Sequence, residues 1–178
     1  MRFHLRNYRP EDFFSLWAID QSCFPAGIAY TQFELKTFIR RSNSFTLVAE
    51  SNERVQPADR AGQSQRAGRP ADEPLILGFL VAERGRTGHI ITIDVRPEAR
   101  KHGVGSALLD ASEEQLRLWN CRQVHLETAV DNATAISFYK RHGYSVTKVV
   151  PRYYSNGVDA LVLEKDLLSS AASANVQR

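Results

Sequence analysis

The sequence predicts an α/β fold, a mixed β-sheet of about seven strands with about four helices on its two faces. Three observations carry that reading. Short runs rich in β-branched residues alternate with segments of helical period along most of the chain. The clearest of them form one unit at 90–119: a strand, a glycine-containing turn and an amphipathic helix. The third is size, since 178 residues, 43% hydrophobic and 24% charged, suit one globular unit with a sizeable core.

Residues 2–8 read as a first strand, Phe3, Leu5 and Asn7 alternating with His4, Arg6 and Tyr8. Pro10, Glu11 and Asp12 open a helix. Proline suits a first turn that needs no N–H, and the acids meet the positive end of the dipole. Phe13, Phe14, Leu16, Trp17, Ile19 and Asp20 carry that helix to about Ser22, where the breaker cluster 23–27 stops it. Thr31 and Glu34 have capping-box spacing, so a second helix spans 32–41, with Phe33, Phe38 and Ile39 as its buried positions. Strands follow at 45–50 and 75–83. Between them, 51–74 has almost no large apolar residue and is expected as a flexible hairpin insertion, a docking arm being the alternative.

The β-branched run 90–95 is the next strand, ended at Arg96-Pro97 because proline has no N–H to donate to a ladder. The helix after the turn places Ala107, Leu108, Ala111, Gln115, Leu116 and Trp119 on its apolar side, with Asp110, Glu113, Glu114 and Arg117 opposite. A strand at 123–130, an Asp131-Asn132 cap, a short helix 133–142 stopped by Gly143, and a strand at 144–150 come next. A loop at 151–157 carries two tyrosines, and 160–164 closes the sheet. Residues 169–178 are small and polar, as in a disordered tail. The order β-α-α-β-β-β-α-β-α-β-β thus fills one domain, 1–168.

The turn Arg100-Lys101-His102-Gly103-Val104-Gly105 enters a helix, whose first N–H groups lie unpaired at the positive end of its dipole. Such an end binds phosphate, glycines let a ligand approach the backbone, and Arg100 and Lys101 add charge. An ordinary strand-to-helix connection is the alternative. Neither the dinucleotide fingerprint nor a Walker loop is present.

Arg-x-x-Gly-x-Gly directly before Ser106-Ala107-Leu108-Leu109 resembles the acyl-CoA signature of the GNAT superfamily of N-acetyltransferases. A second segment, from Leu126-Glu127 through Asn132 and Tyr139 to Gly143-Tyr144, resembles the RimI-type N-terminal acetyltransferases of that superfamily. The resemblance is densest over 78–163, weaker before Phe45 and absent in the insertion. It implies the GNAT fold and transfer of an acetyl group from acetyl-CoA to a primary amine, a protein N-terminal α-amine in the RimI-type case.

That reaction needs an oriented thioester, a neutral amine and a proton for the departing thiolate. The resemblance gives the pantetheine arm to the backbone of Ile93, Asp94 and Val95, on a strand that splays from its neighbour, and to Asn132, which also reads as a plain N-cap. It gives the pyrophosphate to the amides of Lys101, His102, Gly103, Val104, Gly105 and Ser106. Glu127 lies inside an apolar strand, where burial is expected to raise its pKa, and it matches the base of RimI-type enzymes. A solvent-facing edge glutamate is the alternative. Tyr139 matches the family's general acid beside the bound thioester, and a core aromatic is its alternative. Asp94 departs from the family pattern: a second base or an anchor for a cationic acceptor, or else a turn-facing charge paired with Arg96. Acceptor walls are expected from Phe24 and Tyr30 and from Tyr153 and Tyr154. After Phe24-Pro25, Ala26-Gly27 departs from the RimI-type Trp-Ser and leaves the acceptor open.

A net charge of +3 is weak ground for nucleic acid and fits an anionic cofactor. No apolar run reaches the ~20 residues of a membrane span, and no signal-peptide pattern opens the chain. Cys23 and Cys121 form no C-x-x-C, and His102, His125 and His142 show no ligand spacing, so no metal is expected. A reducing cytoplasm is the simplest compartment. Oligomeric state is open. The competing readings are a GNAT enzyme for a small amine or a lysine side chain, and an acyl-CoA-binding sensor without turnover.

Overall fold

The computed structural model describes residues 1–52 and 75–168. Its elements run β1 (Phe3–Asn7), α1 (Phe13–Cys23), α2 (Gln32–Arg40), β2 (Ser44–Ser51), β3 (Ile76–Arg84), β4 (Gly88–Val95), α3 (Val104–Leu118), β5 (Gln123–Ala129), α4 (Ala133–Arg141), β6 (Ser145–Val150) and β7 (Ala160–Asp166). One-turn 3-10 segments at Pro10–Asp12 and Pro97–Ala99 precede α1 and the turn into α3. The element order is the one expected from the sequence. The insertion expected over 51–74, beyond Asn52, and the tail at 169–178 lie outside the described residues.

The described strands form one mixed sheet ordered β1-β2-β3-β4-β5-β7-β6, and among them only β4 and β5 pair in parallel. Helices cover both faces. On one face α3 and α4 close a core of Leu77, Leu80, Ile90, Leu108, Leu109, Leu116, Leu126 and Leu163. On the other, α1 and α2 bury Phe13, Leu16, Ile19 and Leu35 against Val48, Ile76, Phe79 and Val81. Thr31 caps α2 as its spacing predicts, its hydroxyl accepting from the Glu34 amide while the Glu34 carboxylate accepts from the Thr31 amide.

Two helix faces differ from expectation. Phe33 is 81% exposed; the buried stripe of α2 is Leu35 with Phe38 and Ile39 behind it, and two residues before Leu35 is the far side of a 3.6-residue turn. On α3 the stripe runs through Val104, Leu108, Leu109, Ser112 and Leu116, which carries Glu113 inside it at 2% exposure. A buried carboxylate must be paired. Glu113 accepts from Lys165 at 2.6 Å and from the Tyr144 hydroxyl at 3.0 Å, and Arg117 stands 3.3 Å away.

The parting of β4 from β5 places the site. Their ladder holds at Gly88, His89 and Ile90 and then stops. Beyond it β4 stays with β3, while β5 stays with β7 along its whole length. Ile91 is an extra residue in β4 opposite the Val81–Ala82 step, a bulge that bends the strand away at the point of parting. Gly78 allows β3 to follow, because a Cβ there would lie 2.5 Å from the Asp94 carbonyl oxygen, a backbone atom that cannot yield. Gly78→Ala is therefore expected to cost roughly 1–3 kcal/mol in urea unfolding, whereas a fold that tolerates the methyl would leave the midpoint unchanged.

Candidate active site

The turn between β4 and α3 is built for an anion. Gly103 takes the N-cap position in the left-handed region, φ 83°, and no side chain caps the helix. The first amides of α3 are thus left for another acceptor, at the positive end of the dipole. Gly105 is helical, and a Cβ on it would make only ordinary contacts, with Phe138 at 3.6 Å and Val95 at 3.7 Å. Packing does not demand glycine there, and a helical glycine costs about 0.5–1 kcal/mol, so close ligand approach is the better reason for it. His142 Nδ1 lies 2.8 Å from the Phe138 carbonyl, which can only accept, so Nε2 accepts the Ser106 hydroxyl at 3.0 Å. That pair ties the first turn of α3 to the end of α4.

Arg100 does not stand over the turn. Its guanidinium folds back, Nε donating to the Val95 carbonyl at 3.1 Å and Nη2 standing 3.6 Å from Cys23 Sγ. In the gap left by β5, the main-chain groups of β4 alternate. The Asp94 carbonyl faces Gly78 of β3, so Ile93 and Val95 are the residues turned towards the gap. Asn132 caps α4, its side chain accepting from the Ala135 amide at 3.1 Å. An acyl-CoA fits these groups: uncapped amides and a lysine for phosphates, and an unpaired strand edge for amides of an extended arm.

The acid and base candidates stand on different elements, Tyr139 on α4 and Glu127 on β5, and each acts electrostatically with Tyr154. Glu127 is half-buried on β5, and the sequence expectation that burial would raise its pKa is overturned. Burial does push it up, but His89 hydrogen-bonds its Oε2 at 2.7 Å, and the fields of His89 and His125 add to that bond, so the net pKa lies below the usual value. Glu127 is an ionised carboxylate at neutral pH. Tyr139 is 6% exposed on α4, and burial, then Asp94 and Tyr154, lift its phenol well above the ordinary range. It keeps its proton.

Asp94 is 1% exposed, which overturns the reading of a turn-facing charge. Its oxygens accept from Thr92 Oγ1 at 3.2–3.3 Å, and burial with the field of Asp20 raises its pKa far above that of a free carboxyl. Asp20, on α1, is also fully buried. It accepts from the Tyr30 amide at 2.9 Å and from Gln21 at 3.0 Å, while its Oδ1 has no partner. Burial outweighs those bonds and pushes it up to about 6.

The acceptor walls meet over this ground. The Tyr30 hydroxyl donates to the Ile91 carbonyl at 3.3 Å, at the bulge itself, and its ring packs edge-on against Phe38. Tyr153 and Tyr154 pack edge to face at 5.0 Å, and both phenols, raised first by burial, feel Glu127. Ser155 donates to the Gly27 carbonyl at 3.0 Å, joining the loop after α1 to the loop between β6 and β7. Phe24 is half-buried at the start of that first loop.

His89 is the residue that sequence reasoning missed. It pairs in register with His125, their rings stacked 4.3 Å apart, and both lie beside Glu127. Only the β4–β5 register brings them together, and spacing along the chain does not reveal it.

The chain belongs to the Acetyltransferase (GNAT) family, whose profile matches residues 13–144. It is 37% identical over 83 residues to an N-alpha-acetyltransferase of Sulfurisphaera tokodaii, a match covering 46% of this chain and 50% of that protein. It is 30% identical over 133 residues to N-alpha-acetyltransferase 30 of Schizosaccharomyces pombe, covering 74% and 77%. Its structure superposes on Ard1 from Thermoplasma volcanium with TM-score 0.72, 28% identity and coverage of 93% and 98%. The chain spans about half the length of the first curated relatives it matches. No described helix is long and apolar enough to cross a membrane.

The Asp20 environment gives a pH test. A folded pKa near 6 against ~3.9 unfolded means a contribution to stability present below pH ~4 and lost as pH rises to about 6. Asp20→Asn keeps an acceptor for the Tyr30 amide and removes the buried charge. Urea unfolding should show the variant gaining on the wild type by up to about 3 kcal/mol between pH 4 and 7. A difference independent of pH would show that Asp20 ionises as freely folded as unfolded.

Proposed function

We propose that this chain transfers an acetyl group from acetyl-CoA to a primary amine, the α-amine of a protein N-terminus, by direct attack within a ternary complex. The observation that carries the reading is the convergence, where β4 leaves β5, of unpaired strand edge, uncapped helix start, ionised carboxylate and protonated phenol. Bound acetyl-CoA supplies a thioester carbonyl as the electrophile. Ile93 and Val95 would hold its arm through their main chain, with Asn132 from the end of β5. The amides from Lys101 to Ser106 would hold its diphosphate.

Glu127 takes the proton from the acceptor ammonium, through water, and leaves a neutral nucleophile. An α-amine has a pKa of about 7.7–8.0 against ~10.4 for lysine, so a carboxylate of low basicity suits the former. As the new N–C bond forms and the C–S bond breaks, Tyr139 donates to the sulfur and regains its proton from the amine side through solvent. A phenol raised by burial is a reluctant full donor, so its main effect is a hydrogen bond that strengthens as charge grows on sulfur. Asp94, held towards its neutral form, supports the fold of β4 and is neither the base nor the cation anchor.

Preference for protein N-termini is supported by the names of the relatives and by tyrosine walls at the acceptor side. A RimI-like choice of a ribosomal-protein alanine terminus is one case within it. A reducing cytoplasm suits the free Cys23 and Cys121.

Tyr139→Phe should lower kcat about a hundredfold or more while calorimetry shows acetyl-CoA affinity within a few-fold of wild type. Wild-type turnover in that variant would remove the acid. In a panel of acetyl-CoA with short peptides bearing different first residues, free polyamines and lysine peptides blocked at their N-termini, thiol release should follow the free peptide termini. Release only with polyamines or blocked lysine peptides would assign the other acceptor class. Saturable binding without release under any acceptor would make this protein a sensor.

A further inference from the structure

Beside the gap, one group of side chains has the makeup of a metal site. His89 and His125 face each other across the last paired step of β4 and β5, and Glu127 lies two residues on from His125, on the same face of the strand. Their candidate donor atoms all lie within 4.8 Å of one another. His89 Nε2 stands 2.7 Å from Glu127 Oε2. Each imidazole has its other nitrogen backed from outside the group: Thr87 Oγ1 lies 3.1 Å from His125 Nδ1, and Glu83 Oε1 lies 3.7 Å from His89 Nδ1. Ligating histidines are usually oriented by such outer partners.

We propose that His89 Nε2, His125 Nε2 and Glu127 Oε2 bind a divalent transition ion of the zinc class, with a fourth position open to the gap. Two imidazoles and a carboxylate match zinc, cobalt and nickel and suit magnesium or calcium poorly, since those ions take oxygen ligands. Bonds of about 2.0–2.1 Å in a tetrahedral site put donors roughly 3.3 Å apart. The His89–Glu127 pair must open from 2.7 Å by about 0.6 Å and His125 must close in. The two rings are parallel, 7° apart, so His125 converges by turning about χ2, a broad torsion, with no movement of the strands. Nothing in the acetyl transfer itself calls for the ion. It would occupy the carboxylate assigned to the acceptor proton and so inhibit transfer; that consequence rests on the reading of Glu127 above, and the binding does not.

The test uses the full chain, freed of metal and of any histidine tag. Titration with zinc should give a one-to-one complex, and with cobalt the intense visible absorption of a tetrahedral site. His125→Asn and Glu127→Gln should each weaken binding about tenfold or more, while His142→Asn, outside the group, leaves it unchanged. No saturable binding, or equal affinity in all four proteins, overturns the site. Zinc should also lower the transfer rate, reversibly with a chelator, at concentrations matching its affinity. In His125→Asn the inhibition, measured against that variant's own metal-free rate, should need about tenfold more zinc. Binding without inhibition would keep the site and remove Glu127 as base, and absence of transfer in every protein would remove the proposed function while the binding result stands.

Discussion

A buried main-chain group needs a hydrogen-bond partner, and in this sheet one strand edge loses its partner partway along. Up to Ile90 the edge of β4 is paired with β5; after it the two strands follow different neighbours. The bulge at Ile91 turns β4, Tyr30 takes the first freed carbonyl, and Arg100 and Cys23 take the last, at Val95. What lies between is a short stretch of β-strand open on one side, in the interior of the sheet. The remaining site elements are arranged around that opening. The helix start of α3 lies beyond its end, β5 and α4 line its far side, and two loops tied through Ser155 and Gly27 cover it.

Three carboxylates close to this region show how surroundings divide one chemistry into different states. Glu127 has a histidine partner and is held ionised. Asp94 has a threonine hydroxyl and the field of Arg100 in its favour and a nearby acid against it, and burial keeps it from ionising. Asp20 lies between them, with two donors and one oxygen left over. The side chains are similar, so the difference comes from the partners each finds, and desolvation decides wherever partners are few.

Much of this was legible in the sequence. Periodicity located most described strands and helices to within a residue or two, the helix expected from Pro10 starting three residues later at Phe13, because the central strands are buried and apolar spacing is enforced there. The Thr31–Glu34 cap, the Asn132 cap and Gly143 at φ 86° could be read because capping is local. The misses are non-local. Glu113 reads as a solvent-facing acid until Lys165 and Tyr144 arrive from the far end of the chain. Glu127 reads as a buried acid of raised pKa until the register of β4 places His89 against it. Asp94 reads as a partner for Arg96, but a residue beyond a bulge faces where the bulge sends it.

The sheet order also bears on synthesis. β7 is last in sequence but interior in the sheet, between β5 and β6. Beyond the three residues shared with β4, it is the only strand that pairs with β5, and Glu127 lies opposite Val162. A nascent chain still lacking Ala160–Asp166 therefore has the helix start and the bulge, but its candidate base sits at a point of β5 with no neighbour on either side. Competence for the chemistry would arrive abruptly, when β7 joins the sheet.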